Sequence, residues 1–336
     1  MASGAEPFFA YLLHLGYNLW DDWPSPGRLK ERTGICPENV RYEAYLRYDS
    51  SVAADLLSRM ASAGIRMVVL DLADGVRYKS HPEIAVRGAW TADRLRRELG
   101  RIRAMGMEPV PKLNFSATHD IWLGPYSRCV STDTYYGVCR DLIAEICELF
   151  DGPRLFHLGM DEETAGHQRH QRYAVIRQYD LWWHDLYFFV GEVEKHGARA
   201  WVWSDYVWHH PREFFSKMPK TVLQSNWYYD TSFSTRIPYV KAYLDLARHG
   251  YDQVPAAAIT RSFESFEKTV DFASRHIPRR RLKGFLQTVW HPTLPKWHGV
   301  HVRAIEAVAR SISRWAVRCG CNAARRRLLT EASERE

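Results

Sequence analysis

Residues Leu155 to Glu163 read L-F-H-L-G-M-D-E-E, and the chemistry of this chain is concentrated there. A short apolar run, Leu155-Phe156 and Leu158, reads as a buried strand. Gly159 allows close backbone approach, and Asp161 and Glu162 fall where the strand runs out. Adjacent side chains on extended backbone point to opposite faces, so two neighbouring acids rarely share one task. One can aim at a reacting bond while the other braces a substrate. The same residues also read as an acidic helix start, because Asp and Glu favour the first turn of a helix. The flanking chain decides between these readings.

That chain is a repeat of strand and helix. Predicted strands are Tyr11–Leu19, Met67–Leu72, Glu108–Leu113, Leu155–Leu158, Ala200–Trp203, Val222–Asn226, Val254–Ile259 and Leu282–Val289. Apolar spacings of three and four predict helices over Val52–Ala63, Ala92–Met105, Tyr136–Phe150, Tyr173–Lys195, Val240–His249, Phe263–Arg275 and Val302–Val317. Gly64, Gly106, Gly197 and Gly250 sit where helix C-caps belong. Eight such units predict a single-domain α/β fold, a (β/α)8 TIM barrel over residues 1–322, with a charged tail over 323–336. Catalytic groups of such barrels stand at the C-terminal ends of the strands. A doubly wound sheet would need a Gly-rich phosphate loop after its first strand, and none is present.

Composition narrows the function classes. The 336 residues carry a net charge of +7, with 13 Trp and 18 Tyr. The pI is about 9.0 and the mean hydropathy −0.39. The arginines are scattered. Two tight clusters, Arg279-Arg280-Arg281 and Arg325-Arg326-Arg327, come without a nucleic-acid motif, so no nucleic-acid partner is expected. No apolar run approaches the roughly 20 residues that span a bilayer, and no membrane association is expected. The N-terminus lacks the basic start of a secretory signal, and Cys36, Cys129, Cys139, Cys147, Cys319 and Cys321 form no C-x-x-C pair. Free thiols and a cytoplasmic location are the expectation. Trp20, Trp23, Trp122, Trp203, Trp208, Trp227, Trp290 and Trp297 fall at or after strand ends. This placement suggests a cleft that stacks pyranose rings, although large residues capping a barrel account for part of it. His167-x-x-His170, His209-His210 and His298-x-x-His301 are possible metal-ligand pairs, but none has a third ligand at a convincing spacing. Neither a metal nor a cofactor is expected.

The ordered motifs resemble glycoside hydrolase family 20, the β-N-acetylhexosaminidases. The fourth-strand H-x-G-x-D-E pattern is His157-Leu-Gly159-Met-Asp161-Glu162. Asp74-Gly-Val-Arg77-Tyr78-Lys79-Ser80-His81-Pro82, with Gly88-Ala89, is similar to the second-strand stretch. Pro111-Lys-Leu-Asn114-Phe-Ser-Ala-Thr-His119 keeps the Pro and His of the third, with Asn for its acid. Trp203-Ser-Asp205 is similar to the fifth, Val222-Leu-Gln224-Ser-Asn-Trp227 to the sixth, and Trp290-His-Pro292 to the eighth, with Pro in place of Glu. The first strand offers Tyr17-Asn18 instead of an Arg. The family's seventh-strand Tyr and Asp have no clear match, a space Tyr228, Tyr229 and Asp230 could fill, and its N-terminal α/β domain is not seen.

The resemblance implies removal of a terminal β-linked N-acetylhexosamine from a glycan or glycoside, with retention and substrate assistance. Glu162 would be the acid–base group and Asp161 the brace of the acetamido group. Asp74 and His119 would form a relay behind Glu162, although a helix cap and a loop histidine are equally ready readings of those two residues. Trp203, Trp227 and Trp290 would wall the pocket, with Asp205 and Tyr228 also contacting substrate. Pro292 and the missing Arg imply a pocket open on the side of the 4- and 6-hydroxyls. Alternatives are a carbohydrate-binding barrel with little or no turnover, and a hydrolase of a different modified sugar.

Overall fold

A computed structural model of the chain describes residues 6–21, 40–169 and 171–318. The expected tail, Trp23, His170, Cys36, Cys319 and Cys321 lie outside the described residues. Eight parallel strands form the barrel: β1 (Phe8–His14), β2 (Met67–Asp71), β3 (Glu108–Lys112), β4 (Leu155–His157), β5 (Arg199–Trp203), β6 (Leu223–Ser225), β7 (Ala256–Ala258) and β8 (Gly284–Thr288). Their order is β6-β5-β4-β3-β2-β1-β8-β7. Parallel bridges Gln224–Gln253 and Trp227–Ala256 close the ring between β6 and β7. The outer helices are α1 (Ser50–Ser62), α2 (Ala92–Ala104), α3 (Asp133–Leu149), α4 (Asp180–Lys195), α5 (Tyr206–His209), α6 (Pro211–Lys217), α7 (Pro238–Arg248), α8 (Ser265–His276) and α9 (His298–Arg318). The (β/α)8 barrel predicted from the strand–helix repeat is therefore the fold. All four predicted capping glycines have left-handed φ, between +75° and +84°, as a C-cap requires. Cys139 and Cys147 are buried free thiols on α3.

Two expected elements differ most in their bounds. The first strand begins earlier and stops at His14, because Leu15 and Gly16 both donate to the Asp71 carbonyl and leave the ladder. A Cβ at Gly16 would lie 2.5 Å from the Leu72 carbonyl oxygen, so the chain turns there against β2. The helix expected from Tyr173 begins at Asp180 instead. Ahead of it, Val175 N–H donates to Gln168 Oε1 and Arg177 N–H to Glu163 Oε1. These backbone donors are committed to side chains, so the segment is a strapped loop and not a first turn.

Side-chain alternation divides the strands into two faces. Outward residues such as Tyr11, Leu13, Val68 and Phe156 pack beneath the helices. Inward residues such as Leu12, Val69, Val110 and Trp201 fill the barrel. Toward the C-terminal mouth the inward positions of the first four strands turn polar: His14, Asp71, Lys112 and His157, all fully buried. Lys112 Nζ lies 2.6 Å from Asp71 Oδ2, and His14 Nδ1 lies 3.2 Å from the same oxygen. The Asp71 carboxyl would be pushed up by burial, but the Lys112 charge and the His14 contact hold it below its ordinary range. The mouth thus rests on a buried ionic tier and not on an apolar plug.

A second buried network straps the loop after β4. Glu163 accepts from Arg177 Nε at 2.9 Å and from the Ala117 N–H at 3.0 Å, and Arg177 Nη1 reaches Asp185 Oδ2 at 3.0 Å. Breaking a buried ion pair on one side leaves an uncompensated charge at a cost of about 3–5 kcal/mol. Arg177→Met should therefore lower the unfolding free energy by an amount of that order in denaturant titration. Adding Glu163→Gln should recover part of it. A loss under about 1 kcal/mol would mean that the strap is not structural.

Candidate active site

The site begins with how the chain leaves β4. Gly159, Met160 and Glu162 have φ of 72°, 70° and 56°. This left-handed region is costly for the two residues that carry side chains. Gly159 lies flat on Asn114, and a Cβ there would come within 2.0 Å of Asn114 Oδ1. Asn114 Oδ1 accepts from the N–H groups of Ser116 and Met160, at 3.0 and 3.3 Å, and its Nδ2 donates to Asp161 Oδ1 at 2.8 Å. Ser116 Oγ donates to the Asp161 carbonyl, and Thr118 Oγ1 to that of Glu162 at 2.7 Å. Asp205 Oδ2 accepts the Glu162 N–H at 2.8 Å. His157 Nδ1 accepts the Gly159 N–H at 3.1 Å, and burial pushes this imidazole well below its ordinary pKa, toward the neutral form that can accept. The loop after β3 and the first residues after β5 thus fix both acids from either side.

His119 joins the two acids. Its Nε2 lies 3.4 Å from Asp161 Oδ2 and 3.4 Å from Glu162 Oε2. Burial alone would favour neutral imidazole, but the Asp161 charge and the contacts to both carboxylates outweigh it and raise its pKa to about 10. Asp161 moves the other way. Burial would raise it, yet His119, the Lys112 charge and the Asn114 amide hold it below the ordinary carboxylate range. Asp205 is pushed up, by burial first and then by the neighbouring Asp161 charge. The floor therefore favours the ionised form of Asp161, the cationic form of His119 and the protonated form of Asp205. Glu162, partly exposed, faces a second imidazole as well, with His167 Nε2 3.5 Å from its Oε1.

These groups line one cavity of 660 Å³, walled by Trp20, Trp203, Trp208, Trp227, Tyr228, Tyr229, Tyr239 and Trp290. Trp203 and Trp20 both meet Trp290 edge-on at 6.3 Å, and Trp227 stacks on Tyr229 at 4.9 Å. Trp203 Nε1, Asp205 Oδ1 and His119 Nδ1 are buried without a hydrogen-bond partner. Buried polar atoms in that condition are uncommon and mark places where another group completes the pairing. Such an apolar-walled cavity with a few convergent polar groups is the usual form of a small-molecule site.

Of the residues expected from the sequence, Asp161, Glu162, His119, Trp203, Asp205, Trp227, Tyr228 and Trp290 converge on this cavity. Asp74 does not. It is buried near the end of β1, where Asn18 Nδ2 donates to its Oδ2 at 2.6 Å, and no hydrogen bond joins it to His119. Burial raises its pKa to about 7. The expected Asp74–His119 relay is therefore corrected: His119 bridges Asp161 and Glu162 directly. The His298–His301 pair separates too, since His301 bonds Tyr11 Oη and His298 bonds Asp55. Among the described residues, the donors able to share a metal ion are His119, Asp161 and Glu162, which lie within 4.8 Å of one another. Two residues outside the expected set fix the site: Asn114, which stands for an acid in the resembled motif, and Glu163, the third acid of D-E-E.

No protein-family model matches the chain, and no curated protein does. Solved structures share its barrel. A β-N-acetylhexosaminidase from Bacteroides fragilis superposes with a TM-score of 0.60 at 12% identity, over 90% of this chain and 65% of its own. A family 20 exo-β-N-acetylglucosaminidase from Vibrio harveyi, in complex with N-acetylglucosamine, gives 0.60 at 15%, over 91% and 54%. Dispersin B gives 0.52 at 13%, over 79% and 95%. The chain spans about two thirds and about half of the first two. These likenesses establish a barrel fold held in common with glycoside hydrolase family 20 structures.

Two outcomes follow. Gly159→Ala should cost at least about 2 kcal/mol, because it adds both a left-handed Cβ and a clash with Asn114. Chemical denaturation reads this directly, and a neutral result would contradict the packing described. His119 has a folded pKa above the unfolded value of about 6.5. The folded state thus keeps a proton that the unfolded state loses, and stability falls as pH rises from about 6.5 toward 10. The melting temperature of the wild type should drop more steeply over that window than that of His119→Gln. Parallel slopes would contradict a cationic His119.

Proposed function

We propose that this protein is a glycoside hydrolase that releases terminal β-linked N-acetylhexosamine by a retaining, substrate-assisted mechanism. The observation that carries the reading is the placement of Asp161 and Glu162, fixed side by side and bridged by one buried imidazole, on the floor of an aromatic cavity. The pyranose would stack on the tryptophan walls. Glu162, reached from solvent, would give its proton to the glycosidic oxygen as the C1–O bond breaks. The acetamido carbonyl oxygen of the same sugar would attack C1 and form an oxazolinium ring. Ionised Asp161 would accept the acetamido N–H, aim the carbonyl and offset the positive charge. Water would then add at C1 from the leaving-group side and return its proton to Glu162, which restores the acid. Unequal environments support this division of labour, since the two acids differ in burial and in partners.

Hydrolysis of aryl β-N-acetylhexosaminides tests it. Glu162→Gln should lose about 10²–10⁴-fold in kcat on poor leaving groups and far less on activated ones, because protonation matters most where the leaving oxygen is basic. Asp161→Asn should lose about 10²-fold or more on every leaving group, since the nucleophile is misaimed. Equal turnover of glycosides lacking the acetamido group would exclude substrate assistance. Sugar binding with no turnover would favour the carbohydrate-binding alternative.

A further inference from the structure

The Arg279-Arg280-Arg281 cluster leads into β8, at the end of the barrel opposite the mouth, and the fold gathers further cations around it. Arg199 opens β5, Lys220 lies in the loop ahead of β6, and Lys283 directly precedes β8. Bonds between neighbouring chains of the barrel set these loops side by side. Arg199 Nε donates to the Thr221 carbonyl, Gln224 N–H to that of Asp252 at 3.1 Å, and Gln253 N–H to that of Arg281 at 2.7 Å. Adjacent strands lie about 4.8 Å apart, so the row from β5 to β8 spans roughly 15 Å.

Among the described residues of the loops leading into β5 to β8, Asp252 is the acid that answers these cations. It lies 3.1 Å from Arg199 Nη1, 3.2 Å from Arg281 Nη1 and 3.6 Å from Lys283 Nζ, so one negative charge is shared among three positive ones. Arg281 Nε and Arg279 Nη1 are buried without a hydrogen-bond partner. Lys220 Nζ rests 3.5 Å above the Tyr251 ring, and burial together with the Arg281 charge pushes its ammonium below the ordinary pKa. Helix ends do not account for the excess. Cations favour helix C-termini, but the helices that run down to this end carry their own in the last turn: Lys195 on α4, Lys217 on α6, Arg248 on α7 and Arg275 on α8. The loop cations come on top of these.

We propose that this end of the barrel is a binding surface for an acidic glycan, a polymer with carboxylates or sulfate esters along its length. A row of roughly 15 Å is longer than a single oxyanion and suits successive charges on one strand. Arginine presents a planar fork of donors that pairs with such groups. Nucleic acid fits less well. Single strands bind by stacking bases on open rings, whereas Tyr251 is buried and Trp315 lies beneath the Arg279 guanidinium. An anionic membrane also fits less well. Stable anchoring there takes a second, apolar signal beside the basic one, and no large apolar side chain is exposed among the described residues of these loops. A polymer held here leaves the mouth open, and nothing in this surface depends on the reaction proposed for the mouth.

The test is binding of the full chain to labelled fragments of polygalacturonate and of heparin, read by fluorescence anisotropy. A single-stranded DNA of equal charge and phosphatidylserine vesicles are measured alongside. At low salt at least one glycan should bind, and its affinity should fall as sodium chloride rises. The glycan that binds more tightly identifies the anion as carboxylate or sulfate. Lys220→Gln combined with Arg280→Gln should weaken binding about 10-fold or more, with the melting temperature unchanged. Arg212→Gln combined with Arg236→Gln removes the same charge from exposed positions elsewhere on the barrel, and should change the affinity less than about 2-fold. Asp252→Asn should tighten binding, because it releases the three cations from their shared carboxylate. Opposite signs from neighbouring substitutions are not a consequence of general structural damage. Three results would each overturn the proposal: no binding of either glycan at low salt, an equal loss from the two charge-matched pairs, or tighter binding of the DNA or the vesicles than of both glycans.

Discussion

The contact on which the rest of the mouth depends is the one between Gly159 and the Asn114 side chain. Asn114 uses both ends of its amide at once, accepting from the Ser116 and Met160 N–H groups and donating to Asp161. For that to happen the chain must pass directly over it, so the residue above can have no Cβ. The left-handed turns at Met160 and Glu162 then place two sequential carboxylates in different surroundings. Each such residue stores of order 1–3 kcal/mol, which the surroundings must offset. The offset is visible in the bonds from Ser116, Thr118 and Asp205, and in the Glu163–Arg177–Asp185 strap behind them. Strain held this firmly at a strand end is a mark of sites in which position matters more than stability.

The electrostatics follow from this geometry. Bringing Asp161 and Glu162 into a partly buried floor requires positive charge nearby. His119 supplies it within 3.4 Å of both, and Lys112 from the tier below contributes to holding Asp161 ionised. Lys112 is itself tolerated inside the barrel because Asp71 is 2.6 Å away. The polar inward positions of β1 to β4 are thus an electrostatic foundation for the acids, while the outward positions of the same strands carry the packing. Asp205, drawn into this field, is pushed toward its protonated form by burial and by the Asp161 charge, and its Oδ2 accepts the Glu162 N–H.

Much of this was legible in the sequence. The strand–helix repeat and its four capping glycines foretold the barrel, and the D-E dipeptide after an apolar run foretold its place at the mouth. Of the tryptophans at strand ends, Trp20, Trp203, Trp208, Trp227 and Trp290 line the cavity, whereas Trp122 is buried with its Nε1 on the Asn114 carbonyl and Trp297 stacks on His291. The limits are equally physical. Arg177 interrupts an apparent helix because its backbone N–H is taken by Glu163, a contact 14 residues distant that periodicity cannot register. The pairing of Asp74 with His119 came from the family resemblance, whereas the turn at Gly16 directs Asp74 to Asn18. Asn114 looked like a lost acid, and only the close approach of Gly159 reveals why an amide, with a donor and an acceptor on one group, suits the position.

The central claim, that Asp161 orients the acetamido group of a bound N-acetylhexosamine beside Glu162, is tested most directly by a mimic of the cyclised intermediate. The thiazoline analogue of N-acetylglucosamine places a ring nitrogen where the acetamido N–H would meet Asp161. Calorimetry should show it binding the wild type at least about 10²-fold more tightly than N-acetylglucosamine, as an analogue of the reaction's charged species should. Asp161→Asn should remove most of that advantage. Equal affinity for the analogue and the plain sugar, or an advantage untouched by Asp161→Asn, would contradict the account.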